Sequence, residues 1–369
     1  RYKAALKLFR KLADPLGQAN ALSALGELDL RQSRYDSAER WLKLARESHQ
    51  GIYSQLGEAN TLRSLGELAV RRGRRSLARE YFRQSLRIYE AVSFPLGLAN
   101  VQKALGELDL QADDCASARK RYLLALGIYE ELDVRLGRAA TWRLLGDLDV
   151  REYDFVSARA NYDKALSLFE QISDPPNTAG TLRSLANLDM KEDQASSARQ
   201  HLSRALDLFV AIQDQLGEAN ARTDLGGLDV SEGLLDSAHE QYTRALALFV
   251  AIPDRLGEAN ALRGLGILYQ QKGDLNAAVQ SFTRAKPIYD ELGTRRQQLV
   301  MQLTFAQLWL RQGQVDIAIS PIREALDYFE AHGMSEDAML TRRLIDTNCA
   351  TNPSFAARWQ ENTQNLADL

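Results

Sequence analysis

Cysteine and histidine are scarce in this chain. Cys115 and Cys349 are the two cysteines in 369 residues and lie far apart, which excludes a disulfide framework and fits a reducing, cytoplasmic (intracellular) compartment. His49, His201, His239 and His332 are scattered, so no zinc-ligand cluster forms and no histidine stands at a motif spacing from Cys115. His49 and His332, near predicted helix ends, read as partners of helix C-terminal dipoles. No run of about 18 apolar residues and no signal-peptide pattern occurs, which argues against a membrane partner. The net charge is −3, with no lysine-rich run and no glycine-rich phosphate loop, which argues against nucleic acid and against a nucleotide site. The expectation is a protein that is not an enzyme and uses no metal or cofactor.

What the chain has is repetition. "LGEAN" begins at Leu56, Leu216 and Leu256, "LGQAN" at Leu16 and "LGLAN" at Leu96, all in phase on one fixed period. "LGRAA" at Leu136 and "PNTAG" at Pro176 hold the same phase, so seven units run from residue 14 to 293 without insertion or deletion. An eighth, from Arg295 to Ser320, keeps the phase and loses the wording. A fixed period of this kind is the mark of a solenoid in which each unit contacts mainly its neighbours. Apolar content of 45% is ample for one elongated, continuous core. The chain opens at Arg1 on the second half of a unit, which reads as a fragment of something longer.

Within one unit, Leu256, Ala259, Leu262, Leu265 and Leu268 are spaced by three, which is helical periodicity. Asp254 is a candidate N-cap, Pro15 and Pro175 stand at first helical positions, and Gly73, Gly233, Gly273 and Gly313 stand where the helix would stop. The second half repeats the pattern through Ala278, Phe282, Ala285 and Tyr289. Each unit is therefore two antiparallel helices joined by short turns. A small-residue column through Gly26, Gly66 and Gly106 in the first helix, and another through Ala38, Ala78 and Ala118 in the second, predict close helix approach.

The order Leu262, Leu265, Gly266, Tyr269, Ala278, Phe282, Ala285 resembles the tetratricopeptide repeat, W-x2-L-G-x2-Y followed by A-x3-F and A. The 40-residue period resembles the long variant found in LGN/Pins-like adaptors, in the sensor arrays of STAND NTPases with NB-ARC or NACHT modules, and in MalT-like regulators. The resemblance implies an all-α, right-handed α-solenoid of antiparallel helix pairs, a tetratricopeptide superhelix. Residues 1–349 would form it: an orphan second helix over 1–13, eight pairs from 14 to about 333, and a capping helix over about 335–349. Residues 350–369 would be a C-terminal cap or tail, with a short helix from Pro353.

On the helical wheel, the stripe of the first helix at 20, 23, 27 and 31 lies opposite the core positions. The resemblance places it on the concave wall. Its columns supply the candidate binding residues: Asn60, Asn100, Asn220 and Asn260; Arg63, Lys103, Arg143, Arg183 and Arg263; Glu67, Glu107 and Asp147; Arg71 and Arg151. Across all units the last three columns hold five positive, four negative and five positive charges, a net of +6 in a chain whose total is −3. Arg63 with Glu67, or Arg143 with Asp147, also reads as an i,i+4 pair on an exposed helix. The asparagine column has two readings, a grip on the backbone of an extended ligand or a hydrogen bond to the neighbouring helix; the first is favoured because similar arrays use inner-wall asparagines that way. LGN-type units carry asparagine after the "LG", where this chain has Glu67 or Glu107, so the ligand chemistry should differ.

One further pattern predicts an Asp–base bridge between the two helices of a unit. Asp109, Asp149, Asp189 and Asp229 are followed ten residues later by Arg119, Arg159, Arg199 and His239. Ala69 with Arg79 and Asp29 with Glu39 depart from it. Together these readings predict a non-catalytic scaffold holding a protein or peptide partner, acidic or extended, in a basic groove. The alternative is a ligand-sensing domain of a STAND-type NTPase or transcription regulator; self-association through the solenoid ends is a third possibility.

Overall fold

A computed structural model describes the backbone of residues 1–367 and the side chains of residues 1–334 and 336–362. Among the described residues there are 19 helices and no strand: α1 (Tyr2–Lys11), α2 (Pro15–Arg31), α3 (Tyr35–Gly51), α4 (Gln55–Arg71), α5 (Arg75–Ala91), α6 (Pro95–Leu110), α7 (Cys115–Glu131), α8 (Arg135–Arg151), α9 (Phe155–Gln171), α10 (Pro175–Lys191), α11 (Ala195–Ala211), α12 (Gln215–Ser231), α13 (Leu235–Ala251), α14 (Arg255–Lys272), α15 (Leu275–Leu292), α16 (Arg295–Arg311), α17 (Val315–Ala331), α18 (Ser335–Thr351) and α19 (Pro353–Ala367). The fold is an all-α solenoid of antiparallel helix pairs. The chain divides into two compact units, Arg1–Leu188 and Asp189–Leu369, where the period alone predicts one array.

Local chemistry sets the helix ends. The carboxylates of Asp14, Asp214 and Asp254 accept from the backbone N–H of Gly17, Gly217 and Gly257 at 2.9, 2.9 and 3.0 Å, satisfying donors that the first turn leaves open. Gly73, Gly233, Gly273 and Gly313 close their turns with φ between 69° and 80°. Tyr153 takes the same left-handed conformation at φ 62° in its turn.

In each compact unit a second helix packs on its own first helix and on the next one, as α7 does on α6 and α8, and α13 on α12 and α14. Successive first helices also touch, as α2 does α4 and α12 does α14. The glycine column is faced by large side chains of the second helix rather than by its alanines: a Cβ on Gly106 would lie 2.6 Å from the Tyr122 ring, one on Gly66 2.4 Å from Phe82 and one on Gly26 2.6 Å from Leu42. The glycine of "LG" receives the ring that ends the preceding second helix, so a Cβ on Gly97 would lie 2.6 Å from Tyr89. At the ends, α1 buries Leu6 against Leu22 and Leu25, and α19 buries Phe355 beside Ile345 and Ile322. The Arg323 guanidinium lies 4.1 Å from the centre of the Trp359 ring.

The aspartate column bridges units, which corrects the within-unit reading. Asp149 is 1% exposed and accepts from Arg119 at 2.6 Å, thirty residues earlier on the preceding second helix. Arg79 pairs with Asp109 in the same way, Arg199 donates to Asp229 at 2.6 Å, and His239 bonds Tyr269 at 3.1 Å. The reason is geometric: each second helix also packs against the following first helix, and the base points that way. Within a unit the aspartate meets the residue twelve positions on, Arg121 to Asp109, Asn161 to Asp149 and His201 to Asp189, at 2.6, 2.6 and 2.7 Å. Asp109 and Asp149, and Asp229 through Arg199 and the Ser237 hydroxyl, thus each tie three helices.

Three substitutions test this packing. Gly127 has no neighbour within 4 Å of a built Cβ, so Gly127→Ala should stabilise by about 1 kcal/mol through helix propensity, whereas Gly106→Ala should destabilise by about 1–3 kcal/mol despite the same propensity gain. Asp149→Ala, which strands Asn161 and leaves Arg119 only Glu152, should cost about 2–3 kcal/mol. Urea unfolding of the three variants reads all of these.

Candidate functional site

The stripe on the first helices faces away from the packed rings, and its side chains remain half-buried or exposed. In the first compact unit it is built from α4, α6, α8 and α10. Asn60 and Asn100 do not stand free: their side-chain Oδ1 atoms accept from the hydroxyls of Tyr89 and Tyr129 at 2.6 and 2.7 Å. The bond to the neighbouring helix is therefore real at these positions, because the terminal ring of the second helix reaches back under the first. Each bond engages the carbonyl end of the amide and turns Nδ2, a donor, the other way. Sequence reasoning missed these tyrosines, although the chain carries the signal. Asn60, Asn100 and Asn260 are matched, at one constant interval, by Tyr89, Tyr129 and Tyr289, while at that interval Ala140, Gly180 and Val300 are matched by Phe169, Phe209 and Phe329.

The charged columns interleave. Arg63 is ion-paired with Glu67, and Arg143 lies 3.5 Å from Asp147, so the i,i+4 reading holds for both. Lys103 and Glu107 hold the same i,i+4 spacing on α6. Burial pushes the Glu107 carboxyl above the usual carboxylate range, with Glu67 and Asp147 reinforcing and Lys103 and Arg143 opposing. Burial likewise raises Asp147, opposed by Arg143 and by the hydrogen bond from the Tyr162 hydroxyl at 2.8 Å. Arg183 contributes positive charge to the same carboxylate.

Arg71 is exposed. Arg151 has a structural partner: it donates to the carbonyl of Leu110, at the C-terminus of α6, at 3.0 Å and lies 3.2 Å from Asp113. In the second compact unit, Asn260 Oδ1 accepts from Tyr289 at 2.6 Å, and the Tyr289 hydroxyl lies in the field of Arg263. Asn220 has Phe249 at the corresponding place and so lacks a tyrosine partner. Arg311 donates to the carbonyl of Gln270 at 2.9 Å, as Arg151 does to Leu110.

His49 is a core residue and not a dipole partner. It is 1% exposed, occupies the ring position of Tyr89 and Tyr129, and meets the Ser23 hydroxyl at 3.4 Å. His332 stacks on Tyr328 with centroids 4.0 Å apart. Among the described residues no group of three or more histidine, cysteine or acidic side chains is placed to hold a metal ion.

Burial lowers the His49 pKa below its ordinary 6.5, against a smaller opposing effect of Glu58. A depressed histidine favours folding while neutral, and that contribution is lost as pH falls below about 6.5, where the unfolded chain takes up the proton. The protein should therefore lose stability between pH 7 and 5, with a slope of up to about 1.4 kcal/mol per pH unit from this residue. His49→Tyr, which recreates the Asn–Tyr pair with Asn20, should flatten the profile in thermal melts.

A model of the tetratricopeptide repeat family matches residues 17–91 and 217–291, and those two stretches carry tetratricopeptide repeats. No curated protein matches the sequence. The fold is similar to a Signal Transduction ATPase with Numerous Domains bearing a tetratricopeptide repeat sensor, from Pyrococcus horikoshii, at 13% identity and a TM-score of 0.63, covering 92% of this chain and 54% of that one. It is also similar to a Rap protein complexed with competence and sporulation factor, at 15% identity and a TM-score of 0.58, covering 97% and 99%. Aspartyl phosphate phosphatase F from Bacillus subtilis is similar at 13% identity and a TM-score of 0.59, covering 94% of each chain. At such identities the likeness is one of fold.

Proposed function

On a frame of tetratricopeptide repeats, we propose that this chain is a non-catalytic scaffold that holds a protein or peptide partner along its first-helix stripe. The observation that carries the reading is the repeated pairing of asparagine with tyrosine beside a cation: Asn60 with Tyr89 and Asn100 with Tyr129, both tyrosines in the field of Arg63, and Asn260 with Tyr289 in the field of Arg263. In each, the tyrosine fixes the asparagine rotamer and leaves an amide donor beside a positive charge. A row of fixed amide donors suits the carbonyls of an extended backbone, and cations beside it suit acidic side chains. The partner is thus an acidic, extended segment, gripped by the asparagines and attracted by Arg63, Lys103, Arg143, Arg183 and Arg263. Similar Rap folds complexed with competence and sporulation factor and with the Phr* peptide support a peptide ligand.

The free state of Cys115 and Cys349 supports a cytoplasmic setting. No helix among the described residues is long and apolar enough to cross a membrane.

A second reading is a ligand-sensing module of a STAND-type NTPase, in which this chain restrains a nucleotide-binding part until the ligand arrives. It is favoured by the likeness to the Pyrococcus horikoshii sensor protein, of which this chain spans 54%. A P-loop module encoded in the same reading frame would support it.

Reversing Arg143 and Arg183 to glutamate tests the groove. Affinity for fluorescein-labelled deca-glutamate should fall at least about 100-fold, as expected for lost charge pairing in a partly desolvated site, while circular dichroism stays unchanged. Affinity equal to that of the unaltered protein would overturn the assignment.

A further inference from the structure

Internal repetition allows one position of the second compact unit to be read against its counterpart in the first. In the first, Asp147 accepts from the Tyr162 hydroxyl at 2.8 Å and lies in the positive field of Arg143 and Arg183. Two periods further along, Tyr242 stands for Tyr162 and Arg263 for Arg183, but Gly227 stands for Asp147 and Thr223 for Arg143. The hydroxyl and one cation are kept, and the carboxylate is deleted.

The space is kept as well. Gly227 is exposed, and a Cβ built on it meets one atom within 4 Å, the Tyr242 hydroxyl oxygen at 3.7 Å, an ordinary contact. Tyr242 is 6% exposed and seats its ring against Gly226 and Gly264, so the hydroxyl is held at the edge of that gap. Burial raises the Tyr242 pKa to about 12, with Arg263 opposing and Asp224 and Asp229 adding to it, so it stays a donor at neutral pH. Asp224 is itself engaged by another group. At i+4 from Arg263 stands Ile267, where Arg63 has Glu67 and Arg143 has Asp147. Arg263 therefore has no carboxylate at the place where Arg63 and Arg143 find theirs. On either side, Asn260 turns its amide out from Tyr289, and Asn220 lacks a tyrosine to bond.

We propose that the gap at Gly227 is a carboxylate subsite: an aspartate or glutamate side chain of the partner accepts from the Tyr242 hydroxyl and pairs with Arg263, where Asp147 places its own carboxylate two units earlier. The subsite rests on the groove reading above and sharpens it by fixing where an acidic side chain of the partner must enter. Asn220 and Asn260 flank it and hold the partner's backbone carbonyls.

A coupling experiment tests it, with fluorescence anisotropy of fluorescein-labelled deca-glutamate amide and of deca-glutamine amide as control. Gly227→Asp supplies the carboxylate from within and should weaken deca-glutamate binding at least about tenfold, while Gly227→Ala, which adds a Cβ and no charge, should bind as the unaltered protein does. Tyr242→Phe, which changes no charge, should weaken binding several-fold alone and have no further effect on top of Gly227→Asp, because the hydroxyl is then already engaged. Gly227→Asp should also raise the melting temperature, and less so in the Tyr242→Phe background. If Gly227→Asp and Tyr242→Phe bind as the unaltered protein does while the Arg143→Glu, Arg183→Glu variant loses binding, the subsite is wrong and the groove stands. If their effects simply add, the subsite is wrong as well. If the unaltered protein binds deca-glutamate no better than deca-glutamine, both readings fall.

Discussion

A ring seated on a glycine is the contact from which the rest of this solenoid follows. Tyr122 on Gly106 brings the two helices of a unit together, and Tyr89 on Gly97 brings one unit onto the next. Glycine in a helix interior costs about 1 kcal/mol relative to alanine. That cost is offset because a buried aromatic removes a large apolar surface from water and fills the space between close axes without voids. Both ring positions lie on one second helix, as Tyr122 and Tyr129 do on α7, so one helix face serves two partners.

Close axes also explain why charge can be buried between them. Asp109, Asp149 and Asp229 are almost fully enclosed, yet each is met by a base from the preceding second helix, and each also by a polar group of its own second helix. A carboxylate in that position is costly unless every lone pair is used, so the interaction does less for net stability than for register. A unit slipped by a helical turn would leave the aspartate facing apolar side chains. Rings supply the attraction, then, and the aspartates select the phase in which the units stack.

Much of this is legible in the sequence because a repeat performs its own comparison. Helix pairs, capping aspartates and the outward stripe all follow from columns read one period apart. What the columns hide is which neighbour a side chain reaches. Arg119 is ten residues from Asp109 and thirty from Asp149, and the shorter interval misleads, since sequence distance says nothing about which face of a second helix is shared with the following unit. The asparagine column misleads for a related reason: Tyr89 lies on a different helix, so a bond that fixes Asn60 looks, from one helical wheel alone, like an unused polar group. His49 shows the same limit, since its place at a helix end disguised a ring position that only the Tyr89 and Tyr129 column reveals.

The structural bond and the binding hypothesis are compatible once the amide is divided by atom. Tyr89 occupies Asn60 Oδ1, and that bond removes the rotamer freedom which an exposed asparagine would lose on gripping a ligand. A fixed donor binds a carbonyl with less entropic cost than a free one, so the tyrosine adds to the asparagine's usefulness as a grip. Asn220, opposite Phe249, has no such fixation, and it is also the asparagine nearest in sequence to the deleted carboxylate at Gly227. The unit that departs from the repeat in its ring departs from it in its charge as well. In a solenoid whose frame is held constant by glycine, ring and aspartate, such coincident departures are where one unit can differ chemically from the next without disturbing the stack.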